Sequence, residues 1–459
     1  MAGIGFELKK MLKDDSWFGL LKTYAYAGAI SSGPWVLSIL GIMLVGMISL
    51  GNKGAAGTWL GEFLVSVTWL MSFSLVLSSL LQLVFTRFMA DQLYMKNNHK
   101  ILPNFIAALG LSTLVSGLLG IICWLLWFRS LDFLYCTLML MNFVLLCNVW
   151  LAVIFVAGMR RYKTILVVFL VSYLSIVVLS TLLRSAGSNG LLTALLIGHT
   201  ILLTSMLLMI FQEYTADRLL RFDFLVRENV YPILIFIGLF FNMGVWVDKW
   251  MFWFTPATSD DVNGVLRASV IYDLPIFLAY LSIIPGMASF LLRVETDFVS
   301  TYQDYYAAVN DGATLSQIED KREVMTQSIR HAYTEIIKIQ GVTVLLFFVM
   351  AKDIIEWLEL SPLYVHLYYI DLLSTAMQVL FLATLNIFFY FNFLKQAFWM
   401  SFGLFALNTI LTGISLMLGP AFYGYGFALA IFITTIIGMA VLSNKLNRLE
   451  YITFMLQRS

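Results

Sequence analysis

The sequence predicts an all-α membrane protein, with about twelve transmembrane helices in two six-helix bundles and both termini cytoplasmic. Three observations carry this. The first is composition: 60% of the 459 residues are hydrophobic and only 12% are charged, with a mean hydropathy of +0.87. A soluble domain carries about 25% charged residues, so this chain lacks the polar surface to cover a water-facing globule. The second is the recurrence of apolar runs near the ~20 residues needed to cross a bilayer. The third is that the basic residues fall almost entirely on alternate sides of those runs.

Before the first run, Ile4, Leu8, Met11 and Leu12 share a helical face that excludes Lys9, Lys10 and Lys13. Segment 1–23 therefore reads as an amphipathic helix on the cytoplasmic membrane surface. The first bundle, 24–211, holds spans at 24–50, 61–85, 101–128, 131–158, 164–183 and 191–211. Span one is too long for a signal-peptide core and no small-residue cleavage site follows it. Residues 212–229 form a cytoplasmic linker. The second bundle, 230–442, holds spans at 230–254, 270–292, 336–351, 365–391, 397–418 and 422–442; the run at 336–351 is short, and its start lies about a turn earlier in our reading. A cytoplasmic insert, 293–335, interrupts this bundle, with 315–333 read as one or two projecting helices, and 443–459 is a cytoplasmic tail. With the N-terminus inside, only Lys53, Arg129, Arg184, Lys249, Arg267 and Lys352 fall outside, leaving 22 of the 28 basic residues on the cytoplasmic side. A missed span would invert this bias downstream, and none does.

Several chemistries are excluded. The 28 basic and 27 acidic residues nearly cancel, which argues against a nucleic-acid binder. There is no GxxxxGK[ST] phosphate loop and no HExxH motif. His99, His199, His331 and His366 are scattered, and Cys123, Cys136 and Cys147 form no CxxC spacing, so neither a metal site nor a disulfide framework is expected. Asp260-Asp261 reads as a polar turn before Asn263-Gly264. No catalytic residue, metal or cofactor is expected, and the chain is read as a non-enzyme.

Ionisable and amide residues at membrane depth are costly and point to function. The substrate-path candidates are Glu62, Trp246, Asp248, Lys249, Trp250, Asp273, Asp371, Gln378 and Asn386. Adjacent helical residues point ~100° apart, so Asp248 and Lys249 are expected to need separate partners or a water-filled cavity. Trp246 and Trp250 read either as an interfacial belt or as flat faces for sugar rings. Gly33 and Pro34 in span one, and Pro275 and Pro285 in span eight, are hinge candidates. In the insert, Arg293, Glu295, Asp297, Tyr302, Asp304, Tyr305 and Tyr306 form an aromatic-acidic set expected to dock a cytoplasmic partner.

Particular strings carry a resemblance. Met1-Ala-Gly-Ile-Gly-Phe6-Glu-Leu-Lys-Lys10, Ser32-Gly-Pro-Trp-Val-Leu-Ser38, Trp246-Val-Asp-Lys-Trp250, Tyr272-Asp-Leu-Pro-Ile-Phe277 and Arg293-Val-Glu-Thr-Asp-Phe298 resemble the PelG family of the Pel exopolysaccharide machinery, over essentially the whole chain. One departure is that Tyr390-Phe-Asn-Phe-Leu-Lys395 follows span ten where the family pattern has an acidic residue and an arginine. The resemblance implies a member of the MOP-like flippase superfamily that moves an N-acetylgalactosamine-rich polymer across the inner membrane. It implies a PelF-like cytoplasmic glycosyltransferase, a PelD-like cyclic-di-GMP receptor and a PelE-like membrane subunit as partners. The alternatives are a membrane scaffold for the synthase without transport, and an ion-coupled flippase for small molecules or lipid-linked sugars. Scarce midplane carboxylates argue against the last.

Overall fold

The computed structural model describes residues 56–159, 161–226, 231–358 and 360–455, together with 22–30 and the single positions 11, 16, 19, 41, 44 and 45. Most of the amphipathic segment and of span one, including Gly33 and Pro34, lies outside the described residues.

Thirteen of the helices follow one another as α1 (Ala56–Tyr94), α2 (Asn98–Trp127), α3 (Phe133–Ala157), α4 (Tyr162–Leu183), α5 (Gly187–Glu213), α6 (Pro232–Phe254), α7 (Val270–Leu281), α8 (Ile284–Arg293), α9 (Val299–Asn310), α10 (Leu315–Trp357), α11 (Tyr364–Tyr390), α12 (Leu394–Leu418) and α13 (Tyr425–Leu446), with α14 (Leu449–Met455) last. An antiparallel hairpin, β1 (Asp260–Asn263) and β2 (Leu266–Ala268), follows α6 and turns at Gly264, whose φ of +63° suits glycine. Most of these helices are apolar on every face, as lipid contact demands. Their ends carry local signals. Asp132 accepts a bond from the Tyr135 amide at the start of α3, and Thr314 and Gln317 form a reciprocal capping box at the start of α10. Pro232 opens α6, where its missing N–H costs nothing. Asn392, at φ +55°, turns the chain between α11 and α12.

Nine helical stretches among the described residues are long and apolar enough to cross a membrane, or ten when the bent pair α7 and α8 counts as one span. One of the nine, Lys163–Glu213, contains both α4 and α5. These fold back on each other, with Gly190 against the Leu183 carbonyl and Gly198 against Ile176. The short run at 336–351 belongs to a single 43-residue helix, α10. At 1.5 Å per residue it is about 65 Å long, twice the ~30 Å hydrocarbon layer. The span and the projecting part of the insert are therefore one continuous element.

The chain forms two compact units, 34–270 and 1–33 with 271–459. In the first, α3 packs on α1, α2 and α5, around a cluster in which Phe85, Phe105, Phe155 and Phe224 meet with ring centroids 4.5–6.0 Å apart. Contacts place α6 in this unit, along α1. The approach is close because Gly238 has no side chain: a Cβ there would lie 2.5 Å from the Ser79 carbonyl oxygen. In the second unit α13 packs between α11 and α12, and α10 packs against α8, α9 and α11. The described part of span one joins this unit, with Gly28 against Ile284 and Ala288 of α8.

Candidate functional site

In the first unit the motif Trp246-Val-Asp-Lys-Trp250 occupies the last half of α6. Asp248 and Lys249 are fully buried. Their pairing corrects the sequence expectation: the Lys249 ammonium lies 3.0 Å from an Asp248 carboxylate oxygen and donates to the Val245 carbonyl at 2.9 Å. The long lysine stem folds back along the helix and reaches its neighbour despite the ~100° between their Cα directions. The tryptophans are likewise used within the unit. Trp250 stacks on Phe73 at 5.0 Å, Trp253 stacks on Trp69 at 5.6 Å, and the Lys249 ammonium stands 5.8 Å from the Trp246 ring. Trp246 and Trp250 are half-buried, so their faces are only partly open.

Between α6 and α3, α1 carries buried hydroxyls that the sequence reading passed over: Ser66, Ser72, Ser74, Ser78 and Ser79. The Trp250 indole N–H points to the Ser72 hydroxyl at 3.4 Å, Trp150 donates to Ser74 at 2.9 Å, and Gln82 donates to Ser78 at 2.9 Å. The signal was available as five serines within fourteen residues of an otherwise apolar run. Glu62 sits half-buried one turn before Ser66, which hydrogen-bonds Tyr135.

In the second unit the two prolines behave differently. Pro275 lies inside α7, whereas the chain breaks at 282–283 and restarts with Pro285 in the first turn of α8, at a bend of 44°. The break frees backbone groups that must be satisfied in lipid. Gln340 of α10 donates to the Ser282 carbonyl at 3.1 Å, and the Ser282 hydroxyl lies 3.5 Å from that of Thr375. Gly286 makes room for this amide, since a Cβ there would come within 2.3 Å of the Gln340 side-chain oxygen. Gln340 is thus a structural key that sequence reasoning missed, although it is a lone amide in an apolar stretch. Asp273 and Asp371 are buried, in α7 and α11, with Asp371 beside Gly424. Gln378 is buried and Asn386 half-buried on α11.

The string Arg293-Val-Glu-Thr-Asp-Phe298 coincides with a π-helical turn, Val294–Phe298, a geometry common at functional sites. Arg293 pairs with Asp297 at 3.0 Å and with Glu335 at 3.6 Å. Glu295 is buried and accepts a bond from the Tyr390 hydroxyl at 3.1 Å; burial holds its carboxyl above the usual range. Tyr302 donates to the Tyr390 carbonyl at 3.0 Å and packs on Tyr306 at 4.7 Å, while Tyr305 is fully buried 3.5 Å from Thr453 of α14. This corrects the docking expectation for Glu295 and Tyr305: both side chains seal the base of a helical hairpin, α9 with the start of α10, instead of facing a partner. Asp304 is exposed on that hairpin, and Arg322 of α10 holds Glu450 of α14 at 2.9 Å.

The first unit offers one buried ion pair, hydroxyls and aromatic rings, and the second a broken span. No group of residues able to hold a metal ion occurs among the described residues. Residues 1–454 match the family model "PelG: Putative exopolysaccharide Exporter (EPS-E)". No curated protein matches the chain in sequence. Among solved structures, it resembles the outward-facing conformation of a multidrug resistance MATE family transporter of the MOP superfamily, with a TM-score of 0.67 at 12% identity, covering 93% of this chain and 96% of that one. An inward-facing MATE structure gives 0.64 at 12% identity, covering 93% and 99%. A MOP superfamily transporter from Pyrococcus furiosus, described by its reversed pocket polarity, gives 0.65 at 12%, covering 93% and 96%. At such identities the likeness establishes the fold alone.

Proposed function

We infer the function from one premise: this chain belongs to the PelG family. The reading is a transporter subunit of the bacterial inner membrane that carries the N-acetylgalactosamine-rich Pel polymer outward and anchors the cytoplasmic glycosyltransferase that makes it. The observation that carries it is an exopolysaccharide-exporter family coinciding, along nearly the whole chain, with a MOP-type transporter fold.

A twelve-span count is consistent with the helices. The hairpin Lys163–Glu213 contributes two spans and the bent α7–α8 pair one beyond the remaining eight stretches; the sequence run at 24–50, mostly outside the described residues, would be the twelfth. The placement of basic residues supports cytoplasmic termini. With no phosphate loop in the sequence, the driving force in this reading is polymerisation or an ion gradient. The proposed polymer contacts are Glu62, Trp246 and Trp250 within the first unit and Asp273, Asp371, Gln378 and Asn386 within the second, with Pro275 and Pro285 as hinges of the second.

The projecting α9–α10 hairpin supports the anchoring role, with Asp304 on its exposed face. The PelF-like enzyme is its proposed occupant, and PelD-like and PelE-like subunits complete the assembly. In cells that make the polymer, removing this chain is expected to abolish surface polymer while extracts retain sugar-transfer activity. Undiminished surface polymer would overturn the transport reading. Asp304→Lys is expected to shift the glycosyltransferase into the soluble fraction; full retention on membranes would overturn the anchoring reading alone.

A further inference from the structure

The second unit contains a cavity of about 460 Å³ that none of the sequence candidates touches. It lies where the end of α10 meets the start of α11, at the opposite end of α10 from the charged hairpin. Its walls bring together Lys352 and Glu356, one turn apart on α10, with Val365, His366 and Tyr369 of α11. Next to it runs a series of rings. Tyr369 meets Phe348 at 4.8 Å, His366 meets Tyr425 at 6.3 Å, and Tyr425 meets Phe422 at 6.4 Å. His366, Phe422 and Tyr425 are exposed, as are Lys352 and Glu356.

Three features of this place act together. Its volume falls within the 300–1,000 Å³ of sites that hold a small molecule. Its polar groups differ in kind: a fixed cation, a fixed anion, an imidazole and a phenol, which together donate to and accept from hydroxyl and amide groups without imposing one net charge. Its rings present flat apolar faces beside those polar groups. A pyranose ring has the complementary surface, a face of C–H groups with hydroxyls around the edge. A purely lipid-facing aromatic belt needs rings at the interface but not a cavity lined by four polar side chains.

We propose that this cavity is a saccharide-binding subsite for one or two hexosamine rings, through which an emerging polymer is held at this end of the transporter. The proposal rests on the polysaccharide reading above. In it Tyr369 supplies the stacking face, Lys352 donates to a ring hydroxyl or acetamido carbonyl, and Glu356 accepts from a hydroxyl.

The test uses the full chain in lipid nanodiscs, titrated with an N-acetylgalactosamine tetrasaccharide and, as comparison, with a glucose tetrasaccharide of the same length. Ligand-observed magnetic resonance is expected to show binding of the first, weakened at least tenfold in Lys352→Gln/Glu356→Gln and in Val365→Trp, which fills the cavity and leaves its charges intact. The Lys352→Gln/Glu356→Gln chain is expected to melt like wild type, since both side chains are exposed. Equal binding by wild type and both variants, or none by wild type, overturns the subsite and marks the rings as an interfacial belt. Either result leaves the transport reading standing, because export of polymer is measured separately.

Discussion

At the residue scale the strongest constraint is Lys249. Its ammonium is buried against Asp248 and the Val245 carbonyl, so truncating it removes the cation that a fully buried carboxylate faces at 3.0 Å. Losing one partner of a buried ion pair costs about 3 kcal/mol or more. Lys249→Met is therefore expected to lower the detergent-state melting temperature markedly, and Lys249→Met/Asp248→Asn to recover much of the loss. A double variant as unstable as the sum of the single changes contradicts the pairing. Glu295, buried just beyond α8, makes a second prediction. Burial raises its carboxyl pKa in the fold, so folding favours the protonated form more than water does. Its contribution is complete below the ordinary glutamate pKa of about 4.3 and is lost as pH rises through the raised value. Glu295→Gln should flatten the melting profile across that window and stabilise the chain at neutral pH. An unchanged slope would show that the carboxyl is not desolvated.

At the element scale the break between α7 and α8 is held by a side chain from another helix. Gly286→Ala places a methyl within 2.3 Å of the present position of the Gln340 oxygen, and displacing that amide unbinds the Ser282 carbonyl. An unsatisfied buried group costs about 1–3 kcal/mol. Gly286→Ala and Gln340→Leu are expected to destabilise by similar amounts and to be non-additive when combined; additive losses contradict a shared contact. The span itself was legible from Pro285, but its partner was not, because Gln340 reads as one amide in an apolar run and only packing reveals which carbonyl it meets. The same limit explains the insert. Its charge predicted projecting helices, and α10 is one of them. Tyr305 and Glu295 read as surface groups because sequence does not record that α14 and Tyr390 cover them. The Asp248–Lys249 pair was missed for a different reason: Cα directions were weighed and the reach of a four-carbon stem was not.

At the scale of the whole molecule, legibility was high where one force dominates. Lipid requires internally bonded backbone, so composition and run length were enough to place α1 to α8 and α10 to α13 close to their observed positions. The ends of helices were less exact because apolar runs stop at the bilayer while helices such as α10 continue into water. The two compact units were not legible as linear halves, since the packing of α6 along α1 is a tertiary contact that run length does not record. Membership of an exporter family on a MOP-type fold makes one measurement decisive. The chain is reconstituted into sealed vesicles with the proposed PelF-like glycosyltransferase outside, inverted so that the cytoplasmic face meets nucleotide sugar, and labelled polymer is divided into protected and accessible fractions. The account predicts polymer accumulating in the lumen, resistant to added glycosidase until detergent is supplied. Polymer made at the same rate but wholly accessible outside the vesicles would contradict it.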